Sequence, residues 1–247
     1  MQLRSWLVLL AALLLTRPAA AEEVRVAVAS NFAPALAALQ TDFEVATGHR
    51  IRASAGSTGR HYAQILQGAP FDVFLAADAS RPERLEAEGR IVPNSRQTYV
   101  LGQLVLWAPG APDQVALEAL LLSDPPVRLS IANPRLAPYG AAAEQWLRDT
   151  GAWSHFETRL VRGDNVAQAY QFVASGNAEL GLLSLSQLRL AQQPIPGFWK
   201  VLPSDQHAPI EQQAVLLRPS PAGEALLAWL ASPPVQQRLQ EFGYDLP

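Results

Sequence analysis

Two short segments, Ala29-Ser30-Asn31 and Gly56-Ser57-Thr58-Gly59, join small residues to side-chain donors. Each follows a strand-like run and opens a helix-like one. That placement sets free backbone N–H groups, with O–H groups beside them, at a helix N-terminus. The partial positive charge there holds an anion without help from Lys or Arg. Two such turns in one chain point to a single oxyanion held between them. A plainer reading competes: Ser30, Asn31, Ser57 and Thr58 could each be N-caps, contributing about 1 kcal/mol of helix stability apiece.

Other chemistries fail on residue type. The Gly56–Gly59 turn has no Lys, so it is not a P-loop. Ser57 has Ala55 two residues upstream where a nucleophile elbow needs Gly. His49, His61, His155 and His207 are scattered and the chain has no Cys, which argues against zinc. Arg60 and His61 follow the second turn and read as a solvated helix face. No nucleophile–base pair can be assembled from the segments around the turns, so an enzyme is not expected.

The elements that must position these turns follow from hydrophobic periodicity. Residues 24–29 (VRVAVA) read as a buried strand and 32–47 as a helix with Leu36, Leu39, Phe43 and Ala46 on one face. A strand over 51–55, a helix through Tyr62, Ile65 and Leu66, a strand over 73–76 and a capping box at Ser80-Arg81-Pro82-Glu83 continue the alternation. This β-α-β-α-β-α order predicts a parallel sheet with helices on both faces. The pattern then changes. A long strand-like run covers 100–108, followed by a second α/β series: helix 117–122, strand 127–132, helix 141–150, strand 160–162, helix 166–175 and strand 180–184. A strand over 214–217 and two helices, 222–231 and 234–242, return to the first unit, which would otherwise leave a sheet edge uncovered. The expected division is one lobe over 22–104 and 206–247 and a second over 105–205, with the hinge near 100–107 and 210–217. Ligand belongs at the C-terminal strand ends, in the cleft.

Residues 1–21 read as a secretory signal peptide. Arg4 supplies the positive start, 6–15 is an apolar run too short to span a bilayer comfortably, and Ala19-Ala20-Ala21 fits the small-residue cleavage rule. The mature chain would begin at Glu22, exported and periplasmic. The absence of Cys excludes disulfides and a lipid-modified cysteine. The chain carries 19 basic and 22 acidic residues, a net charge of −3, and the leader would remove Arg4 and Arg17. A net-acidic chain whose one lysine is Lys200 is a poor partner for nucleic acid or an anionic membrane. Hydrophobic content of 49% is ample for a core, and no internal repeat or linker stands out.

VAVASNF, AGSTG, GAPFDVFLAAD, IANP followed by AP-Y-G, and NAELGLL, in this order, resemble the periplasmic molybdate-binding proteins of ABC importers. The resemblance implies an α/β, two-lobed, type II periplasmic binding protein. Each lobe would be a mixed, mainly parallel sheet flanked by helices. It also implies a monomer that closes on molybdate or tungstate, uses no further cofactor, and delivers its ligand to an inner-membrane ABC permease. Carried over by position, the anion-contacting residues are Ser30, Asn31 and Ser57 in the first lobe, with Tyr139 and the backbone of Val166 in the second. Many members have a Tyr where this chain has Ser184, and Tyr139 is read as filling that role from the opposite wall.

The chemistry of those residues agrees with such a ligand. A tetrahedral dianion offers acceptors only, and each hydrogen bond to it is worth about 1.5–3 kcal/mol. Ser30, Ser57 and Tyr139 would each bring an O–H and Asn31 an NH2, joined by backbone N–H groups near Asn31, Thr58, Gly140 and Val166. Asp164 and Asn165 read as helix caps and Asp78 as a structural acceptor. Sulfate, phosphate or a small organic acid is the alternative ligand. Protonated phosphate carries an O–H that needs an acceptor, and no carboxylate sits inside the two turns. The effector domain of a transcription regulator shares this architecture, but no helix-turn-helix region is apparent.

Overall fold

The computed structural model describes residues 21–191 and 193–247, so the expected leader lies outside the described residues except for Ala21. The chain forms two mixed sheets. The first has the strand order β11-β4-β10-β3-β1-β2 and the second β7-β6-β8-β5-β9.

β1 (Glu23–Ala29) lies between β2 (Arg50–Gly56) and β3 (Val73–Leu75), parallel to both. Its central position explains why Val24, Val26, Ala27 and Val28 are all buried: an interior parallel strand is covered on both faces and reads as a nearly continuous apolar run, broken here by Arg25. α1 (Ala33–Thr47) lays Leu36, Leu39 and Phe43 on this sheet and ends at Gly48, whose φ of 75° turns the chain left-handed. α2 (Thr58–Leu66) and α3 (Ser80–Ala87) complete the alternation. The expected capping box does not form. Ser80 is already helical, and the Asp78 carboxylate accepts from the Arg81 N–H at 3.1 Å instead.

The strand-like run over 100–108 is two strands, β4 (Gln97–Gly102) in the first sheet and β5 (Leu104–Ala108) in the second, split at Gln103. One continuous strand cannot serve two sheets, so the chain breaks register where it passes between them. The second unit continues through α4 (Gln114–Leu121), β6 (Leu129–Ala132), α5 (Pro138–Asp149), α6 (Trp153–Phe156), β7 (Leu160–Gly163), α7 (Val166–Ala174), β8 (Leu180–Ser184), α8 (Leu185–Ala191) and β9 (Phe198–Val201). β10 (Ile210–Leu216) then inserts antiparallel between β3 and β4. α9 (Pro221–Leu230) and α10 (Pro233–Glu241) bring Leu226, Leu230 and Leu239 into the core of the first unit, and β11 (Tyr244–Asp245) closes its edge.

Both sheets are mixed, but parallel pairing is not the majority. It joins β1 to β2 and β3, and β6 to β7 and β8; every other pairing is antiparallel. Of the strands that carry the chain between units, β5 and β10 run against the β-α-β strands, and β4, antiparallel to β10, runs with them. α6, α8, β9 and β11 had no expectation in the sequence. Each is short, and β9 is only half-buried. Among the described residues no helix is long and apolar enough to cross a membrane.

Candidate functional site

The site forms where four strands end. Parallel pairing sets Ala29 beside Gly56, so the turns after β1 and β2 start side by side, and the Ser30 N–H donates to the Gly56 carbonyl at 2.8 Å. The second unit repeats this plan. Ala132 at the end of β6 lies beside Gly163 at the end of β7, ahead of the starts of α5 and α7. α5 sits directly on the end of β6, since a Cβ on Gly140 would collide with the Ala132 carbonyl. The two sets of turns face one another. The Gly59 N–H donates to the Leu136 carbonyl at 2.8 Å, and an Arg81 guanidinium N–H donates to the Arg135 carbonyl at 3.2 Å. Arg60 and Asp164 pair at 3.0 Å in the open, a contact of little energetic weight.

All five residues expected to contact the anion, Ser30, Asn31, Ser57, Tyr139 and Val166, line one cavity, with Thr58, Ala77 and Pro138 among the others around it. None of the lining residues is charged. The cavity is about 10 Å³, room for about one water molecule. A tetrahedral oxyanion can enter only if the two units part. Larger hollows of about 340 and 270 Å³ lie nearby, one lined by Trp153 and Arg162 and one by Asp78 and Arg81. Neither includes the two Ser turns, so size does not single them out as the site.

The donors differ in how they are held. Ser57 occupies the N-cap position of α2 with extended backbone, yet its side chain caps nothing. Its Oγ is buried and has no hydrogen-bond partner among the described residues. A buried hydroxyl without a partner costs about 1–3 kcal/mol, so this position is not explained by helix capping. Thr58 has a structural duty, since its Oγ1 accepts from the Ala77 N–H at 3.1 Å. Asn165 is a true cap, accepting from the Gln168 N–H at 3.0 Å, which leaves the N–H of Val166 at the first helical position without an intrahelical acceptor.

Two expected donors are engaged elsewhere. The Gly140 N–H donates to the Ala137 carbonyl at 2.9 Å, because α5 starts at Pro138, earlier than its sequence suggests. The Asn31 Nδ2 donates to the Gln212 Oε1 at 2.9 Å, with a longer contact of 3.4 Å to the Tyr244 hydroxyl. The Asn31 backbone N–H has no acceptor among the described residues, and Asn31 is one of the residues that line the cavity. The Tyr139 hydroxyl oxygen accepts from the Gln212 Nε2 at 3.3 Å. Burial pushes the Tyr139 phenol well above its ordinary range, as it does for Tyr99 and Tyr244, so all three keep their O–H.

His61 is buried rather than solvated. Its ring lies under the second turn, 3.2 Å from the Val28 carbonyl and 3.0 Å from the Gln64 side chain, and burial lowers its pKa. Ser184 ends β8 wholly buried and does not line the cavity. Gln212, Tyr99 and Tyr244 had no part in the sequence reading. The available signal was Gln212-Gln213 running into the apolar Ala214-Val215-Leu216, where Gln212 is completely buried.

A cavity of uncharged donors between two α/β units, at their C-terminal strand ends, defines a two-lobed type II binding protein. The chain belongs to the family of bacterial extracellular solute-binding proteins, whose model matches residues 24–245. It is 46% identical over 244 residues to a molybdate-binding protein ModA of Azotobacter vinelandii, covering 97% of this chain and 96% of that one. A ModA of Rhodobacter capsulatus is 40% identical over 233 residues, covering 93% of this chain and 91% of its own. A solved structure of the Azotobacter vinelandii periplasmic molybdate-binding protein superposes with a TM-score of 0.83 at 36% identity, over 91% of this chain and 99% of the other.

Proposed function

We propose that the protein is a periplasmic solute-binding protein that captures molybdate, and tungstate with it, as a monomer, and delivers it to an inner-membrane ABC permease. In this reading it carries out no catalysis and needs no cofactor. The ligand is held by the Ser30, Ser57 and Tyr139 hydroxyls and the Asn31 and Val166 N–H groups, and the chain crosses between lobes at Gln103 and again between β9 and β10. The observation that carries the reading is the Ser57 hydroxyl, buried without a partner in an uncharged cavity. The two ModA relatives, matched over nearly their whole length, name the anion.

Molybdate and tungstate are expected to bind more tightly than sulfate. All three are tetrahedral dianions, so charge cannot separate them. The Mo–O and W–O bonds are longer than S–O, and donors fixed at helix starts reach all four oxygens of one size class only. A smaller anion strands donors, at about 1–3 kcal/mol for each buried group left unpaired. A thermal-shift panel of oxyanions checks this. At a hundredfold excess over Kd, molybdate should add about 2.7 kcal/mol of stability. Equal stabilisation by sulfate would assign the cleft to another ligand.

Export gives a separate expectation. The protein recovered from the periplasm should have an intact mass that starts at Glu22. Recovery of the full 247-residue chain in a membrane fraction would overturn the assigned location.

A further inference from the structure

The cavity is flanked by a buried polar chain built from strands that are far apart in sequence. β11, β4 and β10 are neighbours in the first sheet and bring together Tyr244, Tyr99 and Gln212. Pairing between β4 and β10 slips at this point: Gln212 lies opposite Val100 and Gln213 opposite Thr98, so Tyr99 is the extra residue of a bulge. Bulges re-aim side chains. Here the Tyr99 hydroxyl reaches 3.2 Å from the Gln212 Oε1 and 3.3 Å from the Ala76 carbonyl.

The hydrogen positions in this chain follow one from another. The Tyr244 hydroxyl donates to the Asn31 backbone carbonyl at 3.0 Å, so its oxygen faces the Asn31 side chain as an acceptor. The Asn31 amide must then present its NH2, which also donates to the Gln212 Oε1. That fixes the Gln212 amide, whose NH2 end faces the Tyr139 hydroxyl oxygen. A phenol whose oxygen already accepts has one hydrogen left to give. Tyr139 is among the residues that line the cavity, and in the molybdate reading that hydrogen goes to the anion.

We infer that Gln212 and Tyr244 are positioning residues that set the hydrogen-bond polarity of the site and keep the Tyr139 O–H as a donor into the cavity. Neither residue touches the ligand space. The chain starts at a main-chain carbonyl of the first lobe and ends on a side chain of the second, so the donor is aligned only when the lobes are together. It also favours an anion that only accepts over one that carries a proton of its own. The inference deepens the molybdate reading and rests on it.

A double-mutant cycle tests it by titrating molybdate into the wild type, Gln212→Met, Tyr139→Phe and the double variant, with the melting temperature of each recorded without ligand. Gln212→Met keeps side-chain length and removes both hydrogen-bonding ends. It should weaken binding about tenfold, and in the Tyr139→Phe background it should cost nothing more. Gln212→Glu serves as the second variant. It keeps the shape, but its carboxylate takes the Tyr139 hydrogen, so it should weaken binding more than Gln212→Met does. A packing role predicts the reverse order. Additive losses in the cycle, or Gln212→Glu binding like the wild type, would overturn the inference and leave the molybdate reading standing. A wild type that ignores molybdate would overturn both.

Discussion

Ser57→Ala is expected to weaken molybdate binding by about tenfold to a hundredfold, or roughly 1.4–2.7 kcal/mol, and to leave the ligand-free protein as stable as before or slightly more so. The two halves of this expectation separate the competing accounts of the residue. If Ser57 served as a helix cap, its loss would cost about 1 kcal/mol of folding stability. Its side chain makes no cap hydrogen bond, and its Oγ is buried without a partner. Removing it therefore relieves a desolvated hydroxyl in the free protein and deletes a charge-assisted donor in the complex. Asn165 provides the control. It accepts from the Gln168 N–H at 3.0 Å, so Asn165→Ala should lower stability by about 1 kcal/mol. Titration calorimetry with melting curves on both variants decides the matter. Destabilised Ser57→Ala with unchanged molybdate affinity would return Ser57 to a structural role.

The first-lobe half of this site was legible because it is local. A strand, a turn of small donors and a helix follow one another within a few residues, and an interior strand such as β1 announces itself as an apolar run. Val166 and Tyr139 were placed by resemblance, since alone they look like ordinary wall residues. The partners of the Asn31 side chain were not legible for a topological reason. Gln212 and Tyr244 lie 181 and 213 positions from Asn31 and meet it only because β10 and β11 return to the first sheet. The same return explains how the Asn31 side chain is engaged: its amide meets partners that no local pattern contains. Likewise, nothing in VLGQLVLWA marks Gln103 as the point where one run passes between two sheets. That break depends on where the lobes sit, not on propensity.

Gly102→Ala is expected to hold the cleft open. Gly102 ends β4, and its missing side chain is where the Tyr139 hydroxyl comes to rest. A Cβ there would collide with that hydroxyl and stand 2.9 Å from both the Gln212 Nε2 and the Ile210 Cγ2. Gln212 and Ile210 lie on the neighbouring strand β10, so their share of the strain is present whether the lobes are apart or together, costing about 1–3 kcal/mol of stability. Tyr139 is different. In the two-lobed reading it belongs to the second lobe and would reach Gly102 on closure, so this part of the clash is expected to fall on the closed state alone. The substitution therefore acts against binding in two ways. It opposes the closure that surrounds the anion, and it displaces the phenol that Gln212 orients. Molybdate affinity should fall at least a hundredfold, or about 2.7 kcal/mol, more than the loss of one donor alone explains. Small-angle scattering should show the wild type contracting on molybdate addition while Gly102→Ala keeps its ligand-free dimensions. If the variant contracts as the wild type does and binds with the same affinity, Tyr139 does not close against β4.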